Sequence, residues 1–471
     1  MARAGREVLV KKEIADEIKR IVGAQHVLEA FEDKYCYIYD ASAINVGKAG
    51  VPSLVVFPAN VDEISSLLKL ANQYKFPVIP RGAGTNVSGG TVSHADAVVL
   101  VLKRLDRILE IDERNMMAEA EVGVITASLQ AEVEKRGLFY PPDPASRGFS
   151  TLGGNVAENA GGPRGAKYGV TRNYVLSLEV VLPTGEIIRT GAKTMKDVAG
   201  YDLTDLMIGS EGTLGIVTKV TVKLLPLPWA KKTMLVVFDD LCKACETVAQ
   251  VFMAGVIPTT MELLDNIYIR AIEDYVHIGL PVDAEAVLLI EVDGDEVALG
   301  PQIELVRQIC TNQGATSLRV ARNAQEADEL WVARRSAFAA VARVKPTIIG
   351  EDCTVLRDKI PEMVRKIRAI AEKYNVTIAV LGHAGDGNLH ATLLADERDK
   401  DEMERIEKAI DEILTSTLEI GGTLTGEHGI GRVKRKFLPL QLGKGGMQAM
   451  RAIKLALDPN NILNPGLGFG D

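Results

Sequence analysis

Apolar positions along the chain follow first a helical and then a strand period. Residues 8–30 place Leu9, Ile14, Ile18, Ile21 and Val22 on one face, which predicts one or two helices. VPSLVVFPAN (51–60) reads as a short strand ended by a Pro-marked turn. In 61–74, Ile64, Leu67, Leu68 and Ala71 fall three and four apart, and Asn60 with Glu63 forms a helix-start signal. FPVIP follows as another strand, so the opening reads strand, helix, strand, an α/β signature. From residue 97 the chain turns strand-heavy, with AVVLVL, MMAEAEVGV, VLSLEVVLPTGEII and GIVTKVTVKLLPLP. Between the second and third of these lies 138–174, an irregular stretch rich in Gly, Asn and Pro. A run that long inside a compact domain points to ligand binding.

PLPWAK (226–231) reads as a linker. Beyond it strands (KTMLVVF, TTMELL, AVLLIEV, VTIAVLG) alternate with amphipathic helices at 241–256, about 300–313, 327–341 and 400–419. This pattern suits helices on an antiparallel sheet. A last helix and DPNNILNPG close the chain. No repeat of fixed period is present.

The chain has 471 residues, 47% of them apolar, enough for two or three domains. Its 63 acidic and 54 basic residues give a net charge of -9, which argues against a nucleic-acid partner. Five Cys make no disulfide framework. Cys242 and Cys245 form C-K-A-C with no second pair at cluster spacing, so core thiols on a helix are expected rather than an iron–sulfur site. The charged N-terminus lacks a signal-peptide core, and no apolar run reaches the roughly 20 residues of a membrane span. The expectation is a soluble, cytoplasmic protein without a transmembrane segment, open to peripheral membrane contact through partners.

Candidate chemistry starts with three glycine-rich polar loops. PRGAGTNVSGG (80–90) follows a strand, and its backbone N–H groups could form a nest for phosphate oxygens. It is neither the dinucleotide G-x-G-x-x-G opening a helix nor a P-loop, and alone it reads equally as a tight structural turn. PPDPASRGFSTLGGNVAENAGG (141–162) and GSEGTLGIVT (209–218) are further such loops. Three in one domain fit a dinucleotide-sized cofactor better than a scaffold.

A second constellation uses three of the six His. His383 and His390 lie in GHAGDGNLH and His428 in TGEHGIG. A turn over AGDGN would bring His383 and His390 together on adjacent antiparallel strands. Imidazoles suit a divalent first-row ion, and Glu427 could complete the set. The rival is a hydrogen-bonded turn built on Asp386. His428 suits a general base working near neutral pH, or alternatively a hydrogen-bond partner of a ligand. In 327–341, Arg334 and Arg335 point about 100° apart, so one can face a pocket while the other faces solvent. A guanidinium is a natural partner for a carboxylate or phosphate. Asn388 is a candidate second contact.

These segments resemble the FAD domain of the vanillyl-alcohol-oxidase/p-cresol-methylhydroxylase (PCMH) superfamily. The whole chain resembles FAD-linked 2-hydroxy-acid oxidases and dehydrogenases, among them the glycolate oxidase D-subunit and D-lactate dehydrogenases. The motifs RGAGTNVSGG, PPDPAS, TLGGNVAENAGG, KYGVTRNYVLSLEVVLPTG, AGYDLTDLMIGSEGTLGI, GHAGDGNLH, GGTLTGEHGIG and LDPNNILNPG run in order from 81 to 466.

The resemblance implies an α+β chain. A two-part FAD-binding domain of PCMH type spans 1–228. A substrate (cap) domain on an antiparallel sheet with helices spans 229–430. A C-terminal helical segment, 431–471, returns to the FAD domain. FAD would be held by Pro80, Arg81, Gly82, Ala83, Gly84, Thr85, Asn86, Gly89 and Gly90 around the pyrophosphate. Farther along come Pro142, Asp143, Ser146, Thr151, Gly153, Gly154, Asn155, Asn159 and Gly161, then Glu211, Gly212, Gly215, Ile216 and Val217, with Asn464 from the tail. Loop 80–90 has no His, so the FAD is expected to be non-covalent. His383, His390 and Glu427 match the family's ligands for one divalent ion: zinc, manganese or iron.

His428 as base, Arg334 in a W-x-x-R arrangement and Asn388 would serve oxidation of a small D-2-hydroxy acid, D-lactate first, to the 2-oxo acid by hydride transfer to flavin N5. Relatives acting on larger dicarboxylic hydroxy acids carry Thr four residues after this Arg and a Lys farther on. Here Phe338 stands at the first place, with Lys345 nearby, so a monocarboxylate is expected. Electrons would leave to a protein partner, an electron-transferring flavoprotein or an iron–sulfur subunit. The alternative is the catalytic subunit of a glycolate oxidase passing electrons to such a subunit.

Overall fold

The structure, a computed structural model, describes residues 10–43 and 50–468. Leu9 of the expected first helix lies outside the described residues. The described chain divides into two compact units. The first takes the residues up to 160, 170–226 and those from 427 on; the second takes 161–169 and 227–426.

In the first unit, β1 (Val27–Leu28), β2 (Leu54–Val56), β3 (Val78–Arg81) and β4 (Val98–Val101) form a sheet in the order β1-β2-β4-β3. The β2–β4 and β3–β4 ladders are parallel. The helix Val61–Tyr74 crosses over from β2 to β3, the two strands that flank β4 and run parallel to it. Its start is fixed reciprocally: Asn60 accepts from the Glu63 N–H at 2.9 Å, and Glu63 accepts from the Ala59 N–H at 2.7 Å. Ile64, Leu67, Leu68 and Ala71 are buried as the spacing required. The first helix is shorter than expected, Lys12–Val22, because Gly23 at φ +88 ends it before β1 begins.

A second sheet in this unit is antiparallel, in the order β5-β6-β10-β8-β9. Its strands are β5 (Ile108–Asp112), β6 (Met117–Glu121), β8 (Val175–Val181), β9 (Ile187–Gly191) and β10 (Ile216–Lys223); β7 (Leu138–Phe139) pairs separately with β11 (Leu225–Pro226). β5 escapes the hydrophobic pattern because it is an edge strand of partly exposed, charged residues. The stretch 138–174 is also less irregular than its composition suggests. It holds the helix Leu152–Glu158, capped by Thr151, which accepts from the Gly154 N–H at 3.2 Å, and ended by Asn159 at φ 52. Two glycines in its first turn lower its intrinsic helix propensity, so the sequence shows loop chemistry where helix forms.

The C-terminal segment comes back to the first unit. The Val78 N–H donates to the Ile462 carbonyl at 2.7 Å and the Asn464 N–H to the Val78 carbonyl at 2.9 Å, which lays the tail parallel to β3.

The second unit is built on one antiparallel sheet, β15-β12-β14-β13-β17-β18-β16. The strands are β12 (Ala230–Phe238), β13 (Thr260–Asp265), β14 (Ala286–Gly294), β15 (Ser317–Val320), β16 (Thr347–Thr354), β17 (Thr377–His383) and β18 (Asn388–Ala395). Alternate residues serve two cores. Met234, Val236 and Phe238 meet helices Leu241–Met253, Glu296–Asn312, Ile360–Tyr374 and Lys400–Glu419. Leu235 and Val237 belong with helices Asn266–Val276 and Ala324–Val341. Strands covered on both faces read as continuous apolar runs. Cys245 lies fully inside the first of these cores, where burial pushes its thiol pKa up, as expected of an inert core thiol. Among the described residues no helix is long and apolar enough to cross a membrane.

Candidate active site

The first unit contains a cavity of about 580 Å³, within the range of cofactor sites. Arg81, which ends β3, and Gly82 and Ala83 from the loop after it line the cavity, with Thr151 from the second glycine-rich loop. The rest of the wall includes Tyr37, Lys103, Gly123, Val124, Ile125 and Ser128, none of which stands in a glycine-rich motif. Gly82 is packed so tightly on the Thr151 hydroxyl that no Cβ fits there.

The loop itself is braced from below by Asp40. Its carboxylate accepts from Asn86 Nδ2 at 2.7 Å and from the Thr91 N–H at 3.2 Å. Arg81 donates to the Tyr39 carbonyl at 2.7 Å and to Thr91 Oγ1 at 3.1 Å. Asn86 and Arg81 thus hold the loop's shape. Asp40 had no motif to announce it.

Glu211 and Asn464 are backbone latches. The Glu211 carboxylate accepts from the Ile430 and Gly431 N–H groups at 2.8 and 2.9 Å. Asn464 Nδ2 donates to the Gly90 and Glu211 carbonyls at 2.8 and 2.9 Å. Glu158 converges with Glu211 on Gly429, where a Cβ would strike both carboxylates. Burial pushes Glu211 up to about 7, against the pull of its two N–H donors. Burial first and the Glu211 charge second raise Glu158 well above the usual carboxylate range. Asn155 donates to Thr126 Oγ1 at 2.7 Å, and Asn159 accepts from the Arg172 N–H at 2.9 Å. Gly161 belongs to the second unit.

In the second unit the β17–β18 hairpin pairs His383 with Asn388 and Leu381 with His390. His383 and His390 are therefore diagonal neighbours on one face. Their rings stand edge to face, 5.1 Å between centroids. Asp386 closes the turn by accepting from the Asn388 N–H at 3.3 Å. Asn388 donates to Thr354 Oγ1 at 3.0 Å. Asp352, opposite His390 in the ladder, accepts from the Gly426 N–H at 2.7 Å and so pins the chain beside that strand. Glu427 is the next residue. His383 and His390 are buried and Glu427 is half-buried, three groups of metal-ligand chemistry.

Across the other edge of β17, Glu262 of β13 faces His383. Its Oε1 receives His383 Nδ1 at 2.7 Å and its Oε2 receives Arg334 Nε at 2.7 Å. Burial raises the Glu262 pKa, and the facing His383 and Arg334 outweigh it and hold the group below the usual range. Arg334 is 12% exposed, while Arg335 is half exposed and paired with Asp328. Of the two neighbouring guanidiniums, Arg334 is the inward one. Lys345 is bound to Glu402 at 2.5 Å. His428 is half-buried and belongs to the first unit.

Residues 227–467 match the family described as FAD linked oxidases, C-terminal domain, and residues 52–191 match the FAD binding domain family. The chain belongs to the FAD-linked oxidases. The glycolate oxidase subunit GlcD of Bacillus subtilis is 49% identical over 461 residues, 98% of this chain and 97% of the relative. A D-lactate dehydrogenase of Anaerostipes hadrus is 35% identical over 467 residues, 97% of each chain. The crystal structure of p-cresol methylhydroxylase with substrate bound superposes with a TM-score of 0.82 at 18% identity, covering 98% of both chains, and shows the shared fold.

As an FAD-linked oxidase the chain binds FAD, and the first unit fits that group. Its cavity has the volume, its loop backbone is bare of side chains at Gly82, and two buried acceptor atoms, Glu158 Oε2 and Asn464 Oδ1, have no protein partner. The donor set His, His, Glu suits a divalent first-row ion of nitrogen–oxygen preference.

Proposed function

We propose that this FAD-linked oxidase oxidises a small D-2-hydroxy acid, D-lactate in the first reading, to the 2-oxo acid. It would use non-covalent FAD and one divalent ion held by His383, His390 and Glu427. The observation that carries the reading is the single sheet face in the second unit where two imidazoles, Asn388 and the inward Arg334 gather around buried Glu262. FAD, when bound, supplies the hydride acceptor, and the ion, when bound, supplies Lewis acidity.

The chain's own groups do the rest. Arg334 binds the substrate carboxylate with the N–H groups that Glu262 leaves, and Asn388 makes a second polar contact. His428 takes the hydroxyl proton on a ring nitrogen. Arg335, Arg343 and Lys345, the other cations of residues 327–345, are paired with Asp328, Asp274 and Glu402. That leaves one guanidinium for one carboxylate, and so favours a monocarboxylate.

Glycolate is the second reading, favoured by the 49% identity to a glycolate oxidase subunit. That relative is one subunit of an assembly, which supports a protein electron acceptor here, an iron–sulfur subunit or an electron-transferring flavoprotein. The deciding experiment follows flavin absorbance without oxygen on addition of D-lactate, L-lactate or glycolate. Bleaching by D-lactate or glycolate supports the proposal. Flavin unbleached by any of the three refutes it.

A further inference from the structure

Glu262 lies at the middle of a strand with no solvent exposure. A carboxylate in that position survives only if its oxygens are matched by donors, and the match is complete. One oxygen faces His383 Nδ1 and the other faces Arg334 Nε, each at 2.7 Å. The backbone builds the first contact, because Glu262 and His383 are directly opposed in the β13–β17 ladder. Helix Ala324–Val341 brings the second from 72 residues away.

An ionised carboxylate only accepts hydrogen bonds. The proton of His383 must then sit on Nδ1, which leaves the Nε2 lone pair as the atom that can bind an ion. Of the Arg334 donors, only Nε is taken by the carboxylate.

We propose that Glu262 is the positioning residue of this site: one carboxylate fixes the metal-binding tautomer of His383 and, by holding only the Nε edge of Arg334, reserves the two Nη groups for the substrate carboxylate. The inference rests on the metal and substrate reading above and deepens it. It makes ion retention and acid recognition depend on one side chain that touches neither ion nor substrate.

Glutamine is the discriminating replacement, since it keeps the shape and has one acceptor where glutamate has two. With its amide nitrogen towards His383, the ring is driven to the Nε2–H tautomer and its ligand atom is blocked. With the amide nitrogen towards Arg334, two donors face each other and the guanidinium turns away. Glu262→Gln therefore damages one arm whichever way it settles.

The test uses the full FAD-loaded chain, with zinc as the probe ion. Zinc affinity is measured by chelator competition, and the His383 ring by nitrogen-15 NMR. Wild type is expected to carry the proton on Nδ1. Glu262→Gln is expected to bind zinc about 10–100-fold more weakly and to raise the KM for the hydroxy acid, with FAD content unchanged. His383→Ala is expected to lose the ion. A wild-type His383 protonated on Nε2 overturns the proposal whether or not the variant folds. So does a folded Glu262→Gln with zinc affinity and KM within twofold of wild type. Zinc affinity and ring tautomer are read without turnover. A chain that oxidises no 2-hydroxy acid thus refutes the proposed function and leaves the Glu262 result readable.

Discussion

Lys454 and Asp458 form an ion pair sealed inside the first unit, Nζ to Oδ2 at 2.5 Å, with the two side chains 5% and 0% exposed. The ammonium also donates to the Thr213 and Leu463 carbonyls, and Asp458 accepts from the Ile462 and Leu463 N–H groups. The pair thus ties the last helix to the segment that runs beside β3. Lys454→Met leaves a buried carboxylate without its cation, which costs about 3–5 kcal/mol. The expected result is a clearly lower thermal midpoint and weaker FAD retention, read by melting and by flavin release. An unchanged midpoint would mean that the pair contributes nothing net.

The cofactor site makes its own prediction. Loop 80–90 holds no His, and His94 just beyond it is paired with Asp96. Acid precipitation is expected to leave all flavin in the supernatant. Gly82→Val is expected to weaken FAD binding at least tenfold, because any side chain there meets Thr151. Flavin colour in the washed pellet would contradict the first expectation, and wild-type FAD affinity in the variant the second.

His428→Ala is expected to keep its FAD and to slow flavin reduction by about 10²–10⁴, the usual contribution of a positioned base. Stopped-flow reduction without oxygen measures this directly. A reduction rate equal to wild type would assign the hydroxyl proton to another group.

The Glu158–Glu211 pair predicts a pH dependence of stability. Both pKa values are raised in the folded chain, Glu211 to about 7. Between the ordinary carboxylate range and that value the folded state binds more protons than the unfolded one. Stability therefore falls as pH rises through that window. The groups that face the pair are the Asp40 carboxylate, the Ser88 hydroxyl and the Ile430 and Gly431 N–H groups. Glu158→Gln removes one titrating partner, so the thermal midpoint should vary less between about pH 5 and pH 7. A slope as steep as wild type would place the effect elsewhere.

Local features were legible in the sequence. The helix Val61–Tyr74 follows from its spacing and from Asn60 and Glu63, because capping is settled within four residues. The meeting of His383 and His390 follows from a hairpin, whose register is set by its own turn. The glycine-rich loops also carry their meaning locally, since a bare backbone is needed wherever it approaches a ligand. The helix Leu152–Glu158 was hidden by its glycines, and β5 by its polar edge.

The residue pattern alone carried the family and the cofactor domain. Tertiary structure alone decided the rest. Glu262 stands 121 residues from His383 and reads in sequence as an acid inside an apolar strand. Only the sheet order that sets β13 beside β17 reveals it as a partner. Likewise, helical spacing separates Arg334 from Arg335 by angle without saying which one turns inward, and a buried acceptor waiting across the sheet makes that choice. Short-range patterns record which backbone conformations are allowed, whereas the matching of a buried charge to its donors depends on elements that meet only after folding.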